Sequence, residues 1–212
     1  MADRDAEKRA AAEAAAALVE DGSTVGLGTG STVAHLLPAL ARRELRLRCV
    51  ATSVATEVAA RALGLAVEPF EQLDRLDIAI DGADQIDPDG WLVKGGGGAH
   101  TREKIVATAA DRFVVVASGD KVVEALAAPV PLELLAFGIP ATLRALGRAA
   151  LRHVPLSPDG GAIADYLGDV GDPAALSARL AATPGVVDHG LFAPALVSDV
   201  IVARGGEIEH RE

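Results

Sequence analysis

The sequence predicts an α/β protein: a Rossmann-like, mostly parallel sheet with helices on both faces, plus a smaller α+β unit of ferredoxin-like type. Three observations carry this expectation. Short apolar runs alternate with glycine- or hydroxyl-rich turns and with helical stretches across residues 24–117. Hydrophobic residues make up 50% of the chain but aromatics only 3%, so the core must be built from Ala, Val, Leu and Ile, which suits helices packed closely on a parallel sheet. After Lys121 the rhythm changes, and Pro129, Pro131 and Pro140 punctuate a block of short strands and helices.

Residues 4–20, rich in Ala, Glu, Lys and Arg, read as a helix stopped by Asp21-Gly22. A buried strand over 24–27 runs into Gly28-Thr29-Gly30-Ser31-Thr32 and then a helix over 33–43. A second strand over 47–51 meets Thr52-Ser53 and a helix over 55–63. A short strand over 66–68 precedes the run 76–80, which ends at Asp81. A turn-rich stretch, a helix over 101–110 and a strand over 113–117 follow. Beyond Lys121, strands over 132–135, 153–156, 162–166 and 186–190 and helices over 141–151 and 173–182 form the second block. An apolar strand over 196–203 then turns at Gly205-Gly206 into a hairpin through 207–209. The expected domains are 1–127 with 197–212, and 128–196.

Twenty basic residues against thirty acidic leave a net charge of −10, which argues against nucleic acid or an anionic membrane surface as a partner. A small anion can still be held where a few donors converge. Cys49 is the only cysteine, so no intramolecular disulfide can form and a cytoplasmic location is expected. The start Met1-Ala2-Asp3-Arg4-Asp5 lacks the pattern of a signal peptide, and no apolar run approaches the ~20 residues of a spanning helix. His35, His100, His153, His189 and His210 lack metal-ligand spacing, so no metal site is expected. His100, beside a glycine run, reads as exposed, and Ser53 lacks identifiable His and Asp partners for a hydrolase triad.

Three motifs could carry chemistry. Gly28-Thr29-Gly30-Ser31-Thr32 lies between a strand and a helix, where free N–H groups and two hydroxyls can receive an anion. A plain tight turn with an N-cap is the alternative, and the Gly-Lys-Ser/Thr element of a Walker loop is missing. Asp81-Gly82-Ala83-Asp84 falls at the carboxyl end of a strand, where open α/β sheets bind ligands; its two carboxylates could hold sugar hydroxyls, or Asp81 could simply close an Asx-turn. Asp87-Pro88-Asp89-Gly90 reads as a solvated turn. Lys94 precedes Gly95-Gly96-Gly97-Gly98, a run costly to order. Close approach of backbone to a ligand accounts for these glycines better than a linker does. Glu103 falls in the first turn of the next helix, as a base or as a partner of the helix dipole. Lys121 follows another strand end, and Lys8 sits in the first helix; a surface lysine is the ordinary reading of each.

Taken in order, GLGTGST at 26–32, TSVATE at 52–57, DGADQID at 81–87, KGGGGAHTREK at 94–104, Asp120-Lys121 and PGVVDHGLFA at 184–193 closely resemble ribose-5-phosphate isomerase of the A type. The resemblance implies cofactor-free, metal-independent interconversion of ribose 5-phosphate and ribulose 5-phosphate in the pentose phosphate pathway. It also implies a homodimer or homotetramer in which the smaller domain serves as lid or oligomerisation unit. By position, Glu103 corresponds to the proton-transfer base, and Asp81, Asp84 and Lys94 to sugar-binding and charge-stabilising residues. Thr29, Gly30, Ser31, Thr32 and Lys121 correspond to phosphate and substrate contacts, with Gly82, Ala83, Gly95, Gly96, Gly97 and Lys8 beside them. The competing readings are an amino-sugar-phosphate deaminase and a sugar-phosphate-sensing module of a regulator.

Overall fold

The computed structural model describes residues 4–211. In chain order its elements begin with α1 (Arg4–Ala16), β1 (Thr24–Leu27), α2 (Val33–Ala41), β2 (Arg48–Ala51), α3 (Val54–Ala62) and β3 (Leu76–Gly82). Then come the short strands β4 (Gln85–Ile86) and β5 (Leu92–Val93), α4 (His100–Ala109) and β6 (Ala110–Ser118). β7 (Val130–Leu134), α5 (Ile139–Leu146), β8 (Ala149–Leu151), β9 (Ala162–Tyr166), α6 (Pro173–Ala181) and β10 (Val186–His189) follow. β11 (Leu191–Phe192), β12 (Asp199–Arg204) and β13 (Glu207–Arg211) complete the chain. These elements fall into two compact units. One comprises the chain up to Ala83, Arg102–Lys121 and the chain from Ala195 on; the other comprises Asp84–Thr101 and Val122–Pro194.

The first unit holds a six-stranded sheet in the order β13-β12-β6-β3-β1-β2. All pairs are parallel except β12–β13. The order reverses between β1 and β3, so their carboxyl ends flank the crevice where such sheets take ligands. Alanines of α1 (Ala11, Ala12, Ala15) and leucines of α2 (Leu36, Leu37, Leu40) pack on Val25, Ile78, Ile80, Val114 and Val116. The alanine-rich helix therefore does what the composition implied: small side chains let it lie close on aliphatic strands. It ends sooner than the sequence suggested, because Leu18 and Val19 donate to Ala15 and Ala16 in tightened terminal turns. The strand expected over 66–68 reduces to a single bridge, Val67 with Cys49.

Cys49 is buried, and desolvation pushes its thiol up to about 12. The folded state thus favours the protonated thiol, a contribution present below the unfolded value of about 8.5 and lost as pH rises from there toward 12. Alkylation by iodoacetamide at pH 8 should therefore proceed only in denaturant. Stoichiometric labelling of the native protein, read by intact mass, would contradict this environment.

In the second unit β7-α5-β8-β9-α6-β10 forms an antiparallel sheet ordered β10-β7-β9-β8, the βαββαβ arrangement of ferredoxin-like units. Leu132, Leu134, Ala164, Leu176 and Leu180 fill its core. A helix over 141–151 followed by a strand over 153–156 is not what forms. Gly147, at φ 77, ends α5, and the next residues become β8, with Ala149 opposite Tyr166. Residues 84–101 join this unit because β5 pairs with both β4 and β11 in a three-stranded antiparallel sheet. Among the described residues, no helix is long and apolar enough to cross a membrane.

Candidate active site

In the first unit, parallel pairing brings the carboxyl ends of β1, β2, β3 and β6 to one edge of the sheet. Gly28–Thr32, Thr52-Ser53 and Gly119–Lys121 follow those ends, and Asp81-Gly82 form the end of β3 itself, with Ala83 next. The strand ladder continues past β1: Gly28 donates to the Ile80 carbonyl at 3.0 Å, and Thr52 to Leu27 at 3.0 Å. Asp81 is buried, at 3% exposure, and one of its oxygens accepts from the N–H groups of Thr29 (3.0 Å) and Gly82 (2.7 Å). This carboxylate fixes the start of the GTGST loop. The turn needs a glycine for lack of room, because a Cβ at Gly28 would lie 2.0 Å from the Asp81 carboxyl carbon.

Hydroxyls brace the same loop. Thr29 and Thr52 share a hydrogen bond of 2.8 Å, and Thr56 donates to the Gly28 carbonyl at 2.9 Å. Ser53 caps α3 by accepting from the Thr56 N–H at 3.1 Å. The TSVATE segment thus braces the loop, with Ser53 serving as the cap of α3. Gly30 and Ser31 are exposed and Thr32 is buried.

Glu103 is buried at 5% exposure in the first turn of α4. Gly26 lets this helix close on the sheet, since a Cβ there would come within 2.4 Å of Val106. Residues three apart share a helix face, and a crossover helix runs antiparallel to the strands it joins. Glu103 therefore stands one turn nearer the carboxyl edge than Val106, on the sheet-facing side. Lys121 and Lys8 are half-buried.

Glu7, which no motif in the sequence singles out, is 7% exposed. Its carboxylate accepts from Gly205 at 2.9 Å and from Gly119 at 3.3 Å. The residue beside Lys8 therefore anchors both the turn that carries Lys121 and the β12–β13 turn. Only its place one residue before Lys8 could have flagged it.

In the second unit, antiparallel β4 and β5 pair Gln85 with Val93, and one step further along that register Asp84 stands opposite Lys94. Asp84 donates its N–H to Val93 at 2.8 Å and accepts from Gly96 at 2.7 Å. Lys94 is 2% exposed, its ammonium lies 5.4 Å from the centre of the Phe192 ring, and its N–H donates to Gly190 at 2.8 Å. Burying a lysine is costly, and the face of the Phe192 ring offsets part of that cost. Gly95 is buried while Gly96 and Gly97 are exposed. His100 is fully buried rather than exposed; its ring lies where a Cβ on Gly95 would be, 2.7 Å from Nδ1. Asp87 does form the expected turn, accepting from Asp89 and Trp91, but it is buried rather than solvated. Among the described residues, no group of three or more His, Cys, Asp or Glu is placed to hold a metal ion.

The family described as ribose 5-phosphate isomerase A (phosphoriboisomerase A) matches residues 48–207. A second description, the DeoR C terminal sensor domain, matches only residues 3–67. A protein of Methylorubrum extorquens named ribose-5-phosphate isomerase A is 46% identical over 220 residues, covering 94% of this chain and 93% of its own length. The solved ribose 5-phosphate isomerase A of Methanocaldococcus jannaschii superposes with a TM-score of 0.93 at 31% identity, over 99% of both chains. A solved D-ribose-5-phosphate isomerase in complex with phospho-erythronic acid gives 0.93 at 31% identity, over 100% of both. Matched in sequence through most of its length and in fold through all of it, the chain belongs to the ribose 5-phosphate isomerase A family.

Proposed function

We propose that the chain interconverts D-ribose 5-phosphate and D-ribulose 5-phosphate through an enediolate, without a metal or cofactor, in the cytoplasm and as a homodimer or homotetramer. The observation that carries this reading is Glu103: a carboxylate buried at a helix start on the edge of the sheet where Asp81 also stands. An aldose–ketose isomerase must move one proton between C2 and C1 and hold the negative charge that appears on oxygen. Glu103 removes the C2 proton of the opened aldose and returns it to C1. Lys94, with nearby backbone N–H groups, stabilises the enediolate oxygen. Asp81 and Asp84 orient hydroxyls and assist ring opening.

Thr29, Gly30, Ser31 and Thr32 with Lys121 anchor the phosphate, and Lys8, Gly82, Ala83, Gly95, Gly96 and Gly97 complete the contacts. Binding energy from the remote phosphate holds the reacting carbons in place. A solved relative carries phospho-erythronic acid, a phosphorylated sugar acid, which supports expecting that compound to compete with substrate here. The test is formation of ribulose 5-phosphate from ribose 5-phosphate by protein treated with EDTA. The expected rate is the same with and without chelator; activity abolished by EDTA and restored by a divalent cation would overturn the metal-free mechanism.

The isomerase family match over residues 48–207 outweighs the match of residues 3–67 to a sensor domain, which leaves a sugar-phosphate-sensing module as the lesser reading. Saturable binding of ribose 5-phosphate with no turnover would select it. Ammonia release from an amino-sugar phosphate would instead identify a deaminase.

A further inference from the structure

We infer that Arg152, locked by Asp165, is a positioning residue that sets the orientation of the glycine run after Lys94 and thereby the turnover rate. This rests on the reading of Lys94 and Asp84 as groups that handle substrate. Four glycines in succession have no side chains to hold them, so their order must come from elsewhere. Gly95 and Gly98 take left-handed conformations, at φ +100 and +76, and Gly98 donates back to Gly95 at 2.9 Å. Arg152 Nη1 reaches the carbonyls of Gly95 at 3.1 Å and Gly96 at 2.9 Å. Its Nε and Nη2 meet the two oxygens of Asp165 at 2.8 and 2.6 Å. Both side chains of this pair are 19% exposed, and the Asp165 carboxylate holds the guanidinium above its ordinary pKa.

Peptide planarity turns this clamp into a pointing device. In a trans peptide the C=O and N–H point in opposite directions. Fixing the Gly95 carbonyl on Arg152 sends the Gly96 N–H the other way, where it meets Asp84 at 2.7 Å. Fixing the Gly96 carbonyl likewise turns the Gly97 N–H away from the guanidinium. A carbonyl bonded to a cation also makes its peptide N–H a stronger donor. β9 supplies the floor: Ile163 shares a strand face with Asp165 and lies under Gly98, 3.4 Å from where a Cβ there would be. A lysine at 152 would keep the charge but lacks the planar fork needed to bind two carbonyls and a carboxylate together.

The experiment compares full-length wild type with Arg152→Lys and Arg152→Ala, measuring ribose 5-phosphate kinetics and thermal melting. The expected result for Arg152→Lys is a kcat about 10–100-fold lower with KM within about threefold, because the phosphate contacts are untouched. Added guanidinium should restore part of the Arg152→Ala kcat, and methylammonium should not. A lowered Tm with kcat unchanged in Arg152→Lys, or a kcat in Arg152→Ala that guanidinium does not raise, would show a merely structural role and overturn the inference. If Arg152→Ala does not fold, the kcat and KM of Arg152→Lys decide alone. A wild type that does not isomerise ribose 5-phosphate would overturn the functional reading and this inference with it; an active wild type with an unaffected Arg152→Lys overturns the inference only.

Discussion

Glu103→Gln is expected to lower kcat by roughly 10²–10⁴-fold while leaving KM within a few-fold of wild type. The two side chains have nearly the same shape, so the exchange removes the charge and basicity while keeping the packing. Glu103 is 5% exposed, so bulk water is poorly placed to take over proton transfer. Deuterium exchange gives a second readout. In D2O, wild-type turnover should incorporate solvent deuterium at the reacting carbon, and the variant should lose that exchange in proportion to kcat. A variant with near-normal kcat and normal exchange would remove Glu103 from the mechanism and leave the buried carboxylate as a partner of the helix dipole.

The second large effect is expected at Gly28→Ala, a single added methyl group. Its Cβ would fall 2.0 Å from both the carboxyl carbon and Oδ1 of Asp81, and 2.5 Å from the Asp81 Cβ. Asp81 has no easy retreat, because the same oxygen holds the N–H groups of Thr29 and Gly82. Overpacking costs about 1–3 kcal/mol, and losing a hydrogen bond to a charged group about 1.5–3 kcal/mol. A combined loss of roughly 3–5 kcal/mol corresponds to a Tm lowered by roughly 6–20 °C for a chain of this size. Activity should fall at least as steeply, since Asp81 and the GTGST loop would be displaced together. Calorimetry and kinetics on the same preparation test both, and a Tm within about 2 °C of wild type with full activity would contradict the packing described here.

What the sequence disclosed, and what it hid, follows from how each signal arises. The strand ends near Leu27 and Asp81 were legible because Gly28 and the Asp81-Gly82 pair close short, mainly apolar runs. The ferredoxin-like unit was legible in outline, but the boundary between α5 and β8 was not. Ala149, Ala150 and Leu151 suit a helix locally, and only pairing with β9 makes them a strand. Strands of two residues, such as β4, β5 and β11, carry no periodicity at all. Yet β4 and β5 set Asp84 opposite Lys94, so part of the candidate site depends on the least visible elements in the chain.

Buried charges were the other blind spot. Glu7 and Arg152 look like solvated residues in a one-dimensional string. Their roles come from backbone groups of Gly119 and Gly205, or of Gly95 and Gly96, that are distant in sequence. His100 was misjudged for a related reason: its neighbours in sequence are small, and the space they leave is what the ring fills.

The interleaving of the two compact units has a consequence for how the chain is made. β12 must insert between β6 and β13, and its contact with β6 joins residues as far apart as Arg112 and Asp199, whose ion pair spans 87 positions. As the polypeptide leaves a ribosome, β1, β2, β3 and β6 emerge early, but the aliphatic flank of β6 waits for β12 until the βαββαβ block has been synthesised. Contacts of such long range slow folding, and an unpaired apolar strand edge invites association with other chains. Expression stalled or truncated between Lys121 and Asp199 should therefore yield insoluble product rather than a free-standing sheet domain, even though every residue proposed to touch substrate would already be present.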